Sequence, residues 1–181
     1  MDYLVSNEKR NKYIRNLATS LNGNTLCLFQ YVEKHGKQLY ETIRERATDK
    51  QVFYVYGGVE ADERERIRSI TEKSDNAIII ASYGTFSTGI NIRNLHNIIF
   101  SSPSKSRIRN LQSIGRGLRL KDNRSTATLY DIADDLTYNE KENYTLQHFR
   151  ERINIYNGEE FNYEIHKVEL NGTGTKTTTS N

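Results

Sequence analysis

A chain of 181 residues with a formal net charge of +3 is long enough to bury one substantial core and short of what two full domains normally need. One cysteine, Cys27, excludes an internal disulfide framework and fits a reducing compartment, and the four histidines, His35, His96, His148 and His166, lack metal-ligand spacing, so no metal site is expected. The chain has neither an apolar run near the roughly 18 residues of a membrane span nor a signal-like start, which predicts a soluble cytoplasmic protein with no membrane partner.

Residues 1–22 are mostly polar, with Tyr13, Ile14, Leu17, Ala18 and Leu21 at a helical period, so a helix over 6–21 is predicted to pack on the domain that follows. From 23 to 136 short apolar runs alternate with helical segments. Strands are predicted at 25–29, 52–56, 77–81, 97–100 and 126–132, and helices at 33–47 and 61–73, the latter with Asp62 and Glu63 in its first turn. The runs are rich in β-branched and aromatic residues and do not alternate with polar ones, as strands of a parallel sheet covered on both faces do not. This order predicts an α/β three-layer sandwich with a mostly parallel sheet. Cys27, inside Leu26-Cys27-Leu28-Phe29, is predicted to be buried and inert. Beyond 136 a helix over 139–156 and a strand over 161–170 form an extension. Residues 171–181, which carry no apolar side chain, read as a disordered tail.

In such sheets binding sites lie at the carboxyl ends of the strands. The unusual residues of this chain fall there. Gly57-Gly58 follows the second strand, residues 82–91 (Ser-Tyr-Gly-Thr-Phe-Ser-Thr-Gly-Ile-Asn) follow the third, and Ser101-Ser102-Pro103-Ser104-Lys105-Ser106 follows the fourth. Glycines and small hydroxyl residues let backbone N–H groups approach a phosphodiester, and Lys105 adds charge, so these strand-end stretches, with Gly57, Gly58 and Lys105, are candidate nucleic-acid contacts. Asp134-Asp135 reads as a solvated turn.

The next stretch carries the chemistry. Arg109, Gln112, Arg116 and Arg119 recur at helical spacing on one face, and Ile108, Leu111, Gly115 and Leu118 form the neighbouring apolar stripe. Arginine suits phosphate because its planar fork donates two parallel hydrogen bonds and keeps its charge at working pH. Gly115 and Gly117 flank Arg116, and each costs a helix about 0.5–1 kcal/mol against alanine, which calls for close approach or tight packing.

The pattern Gln112-x-x-Gly115-Arg116-x-x-Arg119 resembles motif VI of the superfamily two helicases. Thr25–Phe29 with His35-Gly36-Lys37 is similar to motif IV of that family, Tyr56-Gly57-Gly58 to motif IVa and residues 82–91 to motif V, in the family's order. The resemblance implies the second, C-terminal RecA-like domain of an ATP-dependent helicase. It implies Arg116 and Arg119 as catalytic arginine fingers on ATP, with Gly89, Asn91 and Gln112 facing the nucleotide, and Thr85, Ser87 and Thr88 as nucleic-acid contacts that lie near the backbone or couple the two sites. Asn91 stands where many relatives carry aspartate, and its amide can bond a ribose hydroxyl without supplying charge. The runs at 81–92 and 110–119 are most similar to phage enzymes that migrate branched DNA and dissociate R-loops in recombination and repair. By that likeness the partner is DNA or an RNA–DNA hybrid; a monomer is expected, in the cytoplasm, which is the host's if the protein is viral.

No phosphate loop G-x-x-x-x-G-K-[ST] occurs, since the pair Gly36-Lys37 is followed by Gln38. ATP and Mg are therefore expected to be held mainly by a first RecA-like domain, encoded upstream or on another polypeptide, and this chain by itself is expected to be inactive. A non-enzymatic nucleic-acid-binding module of the same fold also accounts for Lys105, Arg107, Arg109, Arg116, Arg119, Lys121 and Arg124 clustered against the single acid Asp122. A Rossmann-type enzyme would require G-x-G-x-x-G after the first strand, which is absent.

Overall fold

The computed structural model describes residues 2–87, 92–102, 127–139, 141–170 and 175–178. The described residues form two bodies, one running to Ser102 and resuming up to Ile132, the other comprising those from Ala133 onward.

In the first body a short helix α1 (Asp2–Val5) precedes α2 (Glu8–Ser20), which starts where the Asn7 side chain accepts the Arg10 N–H at 3.0 Å. Then follow β1 (Thr25–Phe29), a π-helical turn (Val32–Gly36), α3 (Lys37–Arg46), β2 (Gln51–Val55), α4 (Ala61–Glu72), β3 (Ala77–Ser82), α5 (Tyr83–Ser87), β4 (Asn97–Phe100) and β5 (Thr128–Asp131). The strands make one parallel sheet in the order β2-β3-β1-β4-β5. The predicted α/β sandwich on a parallel sheet is therefore present, and β1, β3 and β4 are fully buried as their unbroken apolar runs require.

Register decides the faces. Cys27 pairs with Ile80 and Ile99, so Cys27, Phe29, Ile78, Ile80 and Ile99 point one way, and they meet Ile14 and Ala18 of α2 and Leu39 and Ile43 of α3. Each isoleucine or leucine buried in this way contributes about 1.5–3 kcal/mol. The chain crosses from β1 outward to the edge strand β2 and then returns to β3. Right-handed crossovers in opposite directions put α3 and α4 on opposite faces. α4 buries Ile67 and Thr71, one turn apart, and holds its outer side with Arg66–Glu63 and Arg68–Glu72 ion pairs. Cys27 is buried, and burial pushes its thiol up to about 12, so it is inert at neutral pH.

Three local readings change. The helix predicted over 33–47 is a π turn followed by α3, because Tyr31 O accepts both the His35 N–H at 3.1 Å and the Gly36 N–H at 2.8 Å. The stretch after β3, read only as a strand-end run, begins as α5, capped by Ser82 Oγ, which accepts the Thr85 N–H at 3.3 Å. The helix predicted over 6–21 is α2, which starts only at Glu8 with Asn7 as its cap, and a separate short helix, α1, precedes it outside the predicted span.

The second body has α6 (Tyr144–Gly158), whose Tyr156 ring packs on Phe161 and Tyr163 at centroid distances of 6.4 and 6.2 Å. It also has an antiparallel pair, β6 (Ile165–Val168) with β7 (Thr175–Thr178). In the stretch 171–181, read as disordered from its composition, β7 is thus a strand, since threonine favours extended backbone and the ladder satisfies its N–H and C=O groups. Among the described residues no helix is long and apolar enough to cross a membrane.

Candidate functional site at the carboxyl edge of the sheet

All five strands are parallel, so their carboxyl ends meet at one edge, with β2 and β3 ending side by side and β1 between β3 and β4. Gly57 and Gly58 form an exposed turn after β2, closed by the Val59 N–H donating to Tyr56 O at 3.0 Å. That turn adjoins a cluster of aromatic rings. Tyr54 lies 5.1 Å from Tyr56, 5.2 Å from Tyr40 and 5.6 Å from Phe29, and its hydroxyl donates to Val32 O at 2.9 Å. Burial pushes the Tyr54 phenol up to about 12, so it stays a donor.

After β3, Thr85 is buried, with its hydroxyl 2.7 Å from Ser82 Oγ, while Gly84 is exposed beside it. Ser87 closes α5. Between β3 and β4, Gln30 follows β1 with its Oε1 buried and without a hydrogen-bond partner among the described residues. The structure therefore brings Gly57, Gly58, Thr85 and Ser87 to the same edge. Thr88, Gly89, Asn91, Lys105, Gln112, Arg116 and Arg119 lie outside the described residues.

Behind this edge sits a polar cluster that sequence reasoning missed. Arg10, Asn11, His35, Ser101 and Ser102 are all buried. Arg10 Nη2 donates to Ser101 O at 2.8 Å, and the Ser101 N–H and Oγ both donate to Leu28 O, at 3.0 and 2.7 Å. Asn11 Nδ2 donates to Val5 O at 2.8 Å and to Gln38 Oε1 at 3.0 Å, which leaves Asn11 Oδ1 as the acceptor for His35 Nε2–H at 3.2 Å. The other ring nitrogen, Nδ1, then carries the lone pair and accepts the Ser102 hydroxyl at 2.9 Å. Burial, and secondarily the Arg10 charge, push His35 down to about 4, so the ring is neutral as this pattern needs. A signal for the cluster was present: Asn11 lies on the α2 stripe of Ile14 and Ala18, where a polar side chain survives only if hydrogen-bonded.

Chemically the edge offers hydroxyls, glycine backbone and neutral amides, groups that fit phosphate and sugar oxygens. Among the described residues no group of His, Cys, Asp or Glu is arranged to hold a metal ion.

Comparison with known proteins agrees with this geometry. The family described as the helicase conserved C-terminal domain matches residues 8–121. The chain is 38% identical over 175 residues to the ATP-dependent DNA helicase uvsW of Enterobacteria phage T4, covering 90% of this chain and 34% of that protein. It superposes on the crystal structure of T4 UvsW with a TM-score of 0.70, over 86% of this chain and 33% of that one. Domain 2 of the DEAD-box helicase Mss116p, solved bound to an RNA duplex, shares the fold at a TM-score of 0.51 and 15% identity, over 74% of this chain and 50% of that one. The chain spans about a third of the length of the UvsW protein it matches. From its parallel sheet, the turns at its carboxyl edge and this match over most of its length, the chain belongs to the helicase conserved C-terminal domain family and is the second RecA-like domain of a superfamily two helicase.

Proposed function

We propose that this chain is the C-terminal motor domain of an ATP-dependent DNA helicase or translocase that acts on branched DNA or R-loops in recombination and repair. The observation that carries the reading is the family match through residue 121, which takes in the whole Gln112–Arg119 pattern, on a sheet whose carboxyl edge presents the exposed Gly57-Gly58 turn. ATP with Mg supplies the phosphoryl group and is held mainly by a first RecA-like domain in the same or another polypeptide. Toward that group Gly89, Asn91 and Gln112 orient the nucleotide. Arg116 and Arg119 donate their paired N–H groups to charge that develops on the transferred phosphoryl oxygens, an effect worth on the order of 10³–10⁵ in rate for arginine fingers. Gly57, Gly58, Thr85, Ser87, Thr88 and Lys105 hold the nucleic-acid backbone without reading bases. Closure and release of the two domains then moves the protein, as a monomer, along the strand.

The test is steady-state ATPase of the two-domain enzyme with saturating DNA. Arg116→Lys keeps the charge and loses the fork, so it should lower kcat far more than it raises KM. Turnover within a factor of about two of the wild type would mark Arg116 as a solvated surface arginine and leave the binding-module reading in its place.

A further inference from the structure

The chain leaves β4 through Ser101 and Ser102 and passes directly into the segment that bears Lys105, Arg116 and Arg119. Both serines are gripped by buried polar groups from elsewhere in the chain. Ser101 gives its carbonyl to Arg10 and its hydroxyl to Leu28 O, and Ser102 gives its hydroxyl to His35, which leans through Asn11 on Gln38 of α3. α2, the π turn, α3, β1 and the end of β4 are thus joined by two hydrogen-bonded chains, Arg10–Ser101–Leu28 and Ser102–His35–Asn11–Gln38, which run through adjacent residues. Apolar side chains would fill the same space without exact geometry, whereas a buried hydrogen bond holds only at one distance and angle. The π turn belongs to the same arrangement: it carries the buried His35, and Gly36 is needed because a Cβ there would run into the Phe29 ring. The polar cluster therefore fixes Ser101 and Ser102, the point from which the chain departs from β4.

We propose that His35 is a positioning residue for the arginine-bearing segment, acting through Ser102 and braced by Asn11, so that α2 and β4 are held in one register while Arg116 and Arg119 work. This rests on the function proposed above, since the arginines are the groups being positioned. His35 touches neither nucleotide nor nucleic acid in this role. Its removal should lower the rate of the step the arginines serve and leave ATP binding nearly unchanged.

The experiment is a double-mutant cycle on the ATPase in which this chain is joined to its first motor domain, using Ser102→Ala, His35→Leu and Arg116→Lys singly and in pairs. Ser102→Ala is included because it removes one hydroxyl with little change of volume, and a thermal melt and far-UV circular dichroism establish that each variant is folded. The expected result is that Ser102→Ala and His35→Leu each lower kcat on the order of ten-fold, with KM for ATP within about two-fold. Neither should add a further loss in the Arg116→Lys background, because the fork they position is already gone. A purely structural role would give losses that multiply in the pair. Such multiplication, or a folded Ser102→Ala with kcat within about two-fold of the wild type, overturns the inference while leaving the arginine reading intact. If Arg116→Lys itself keeps full turnover, the arginine reading fails and this inference fails with it.

Discussion

Lowering the pH should unfasten this domain through His35. The ring is buried, and burial together with the Arg10 charge holds it down to about 4 from an ordinary value of 6.5. Between pH 6.5 and about 4 the unfolded chain takes up a proton at this ring that the folded chain refuses, so the unfolded state binds more protons and stability rises with pH across that window. The stability is fully present above pH 6.5, is lost as pH falls toward 4, and changes no further at this site below that. A gap of about 2.5 units at about 1.4 kcal/mol each amounts to about 3 kcal/mol, of which about 2 is gone by pH 5. Against a typical stability of about 5–15 kcal/mol this is a large share. The assay is urea denaturation of the 181-residue chain at pH 7.5, 6.5, 5.5 and 4.5, with His35→Leu in parallel so that every other titrating group cancels in the difference. The wild-type midpoint should fall by about 1–2 M relative to the variant's own trend. Parallel curves for the two proteins would refute the reasoning, because they would mean that His35 either titrates normally in the folded state or is not buried there.

Two further changes probe the frame. Asn24 is buried at the amino end of the sheet, where its amide donates to Thr71 O at 2.9 Å and Asn94 O at 2.8 Å and its oxygen accepts the Ala77 N–H at 2.9 Å; Asn24→Ala leaves that buried N–H without its acceptor and removes the amide's bonds to both carbonyls, and should cost about 2–4 kcal/mol by urea titration, with a cost under about 0.5 kcal/mol telling against the network. Gly36→Ala places a methyl into the Phe29 ring in the middle of the core and should cost about 1–3 kcal/mol and lower Tm, whereas an unchanged Tm would mean that the π turn relaxes freely.

The parallel sheet was legible in the chain because its signal is local. Strands buried on both faces must be apolar at every position, so Leu26-Cys27-Leu28-Phe29 and Ile78-Ile79-Ile80-Ala81 declare themselves, and the rule that sites gather at carboxyl ends places Gly57, Gly58, Thr85 and Ser87 at one edge. The arginine pattern from Gln112 to Arg119 stands in the sequence as a helical period with glycines in it and lies outside the described residues. Tertiary structure decided the rest. Strand order is one such matter, since nothing in the composition of β2 says that it skips past β3 to the edge. The buried cluster is another. Arg10 finds its partner 91 residues away at Ser101, and His35 finds Ser102 67 residues away. A local reading sees a polar residue on a surface helix and a lone histidine in a turn. Whether such groups face water or one another depends on which segments the sheet brings together, because hydrogen bonding in a dry interior is a property of the pair and leaves no periodicity in either stretch alone.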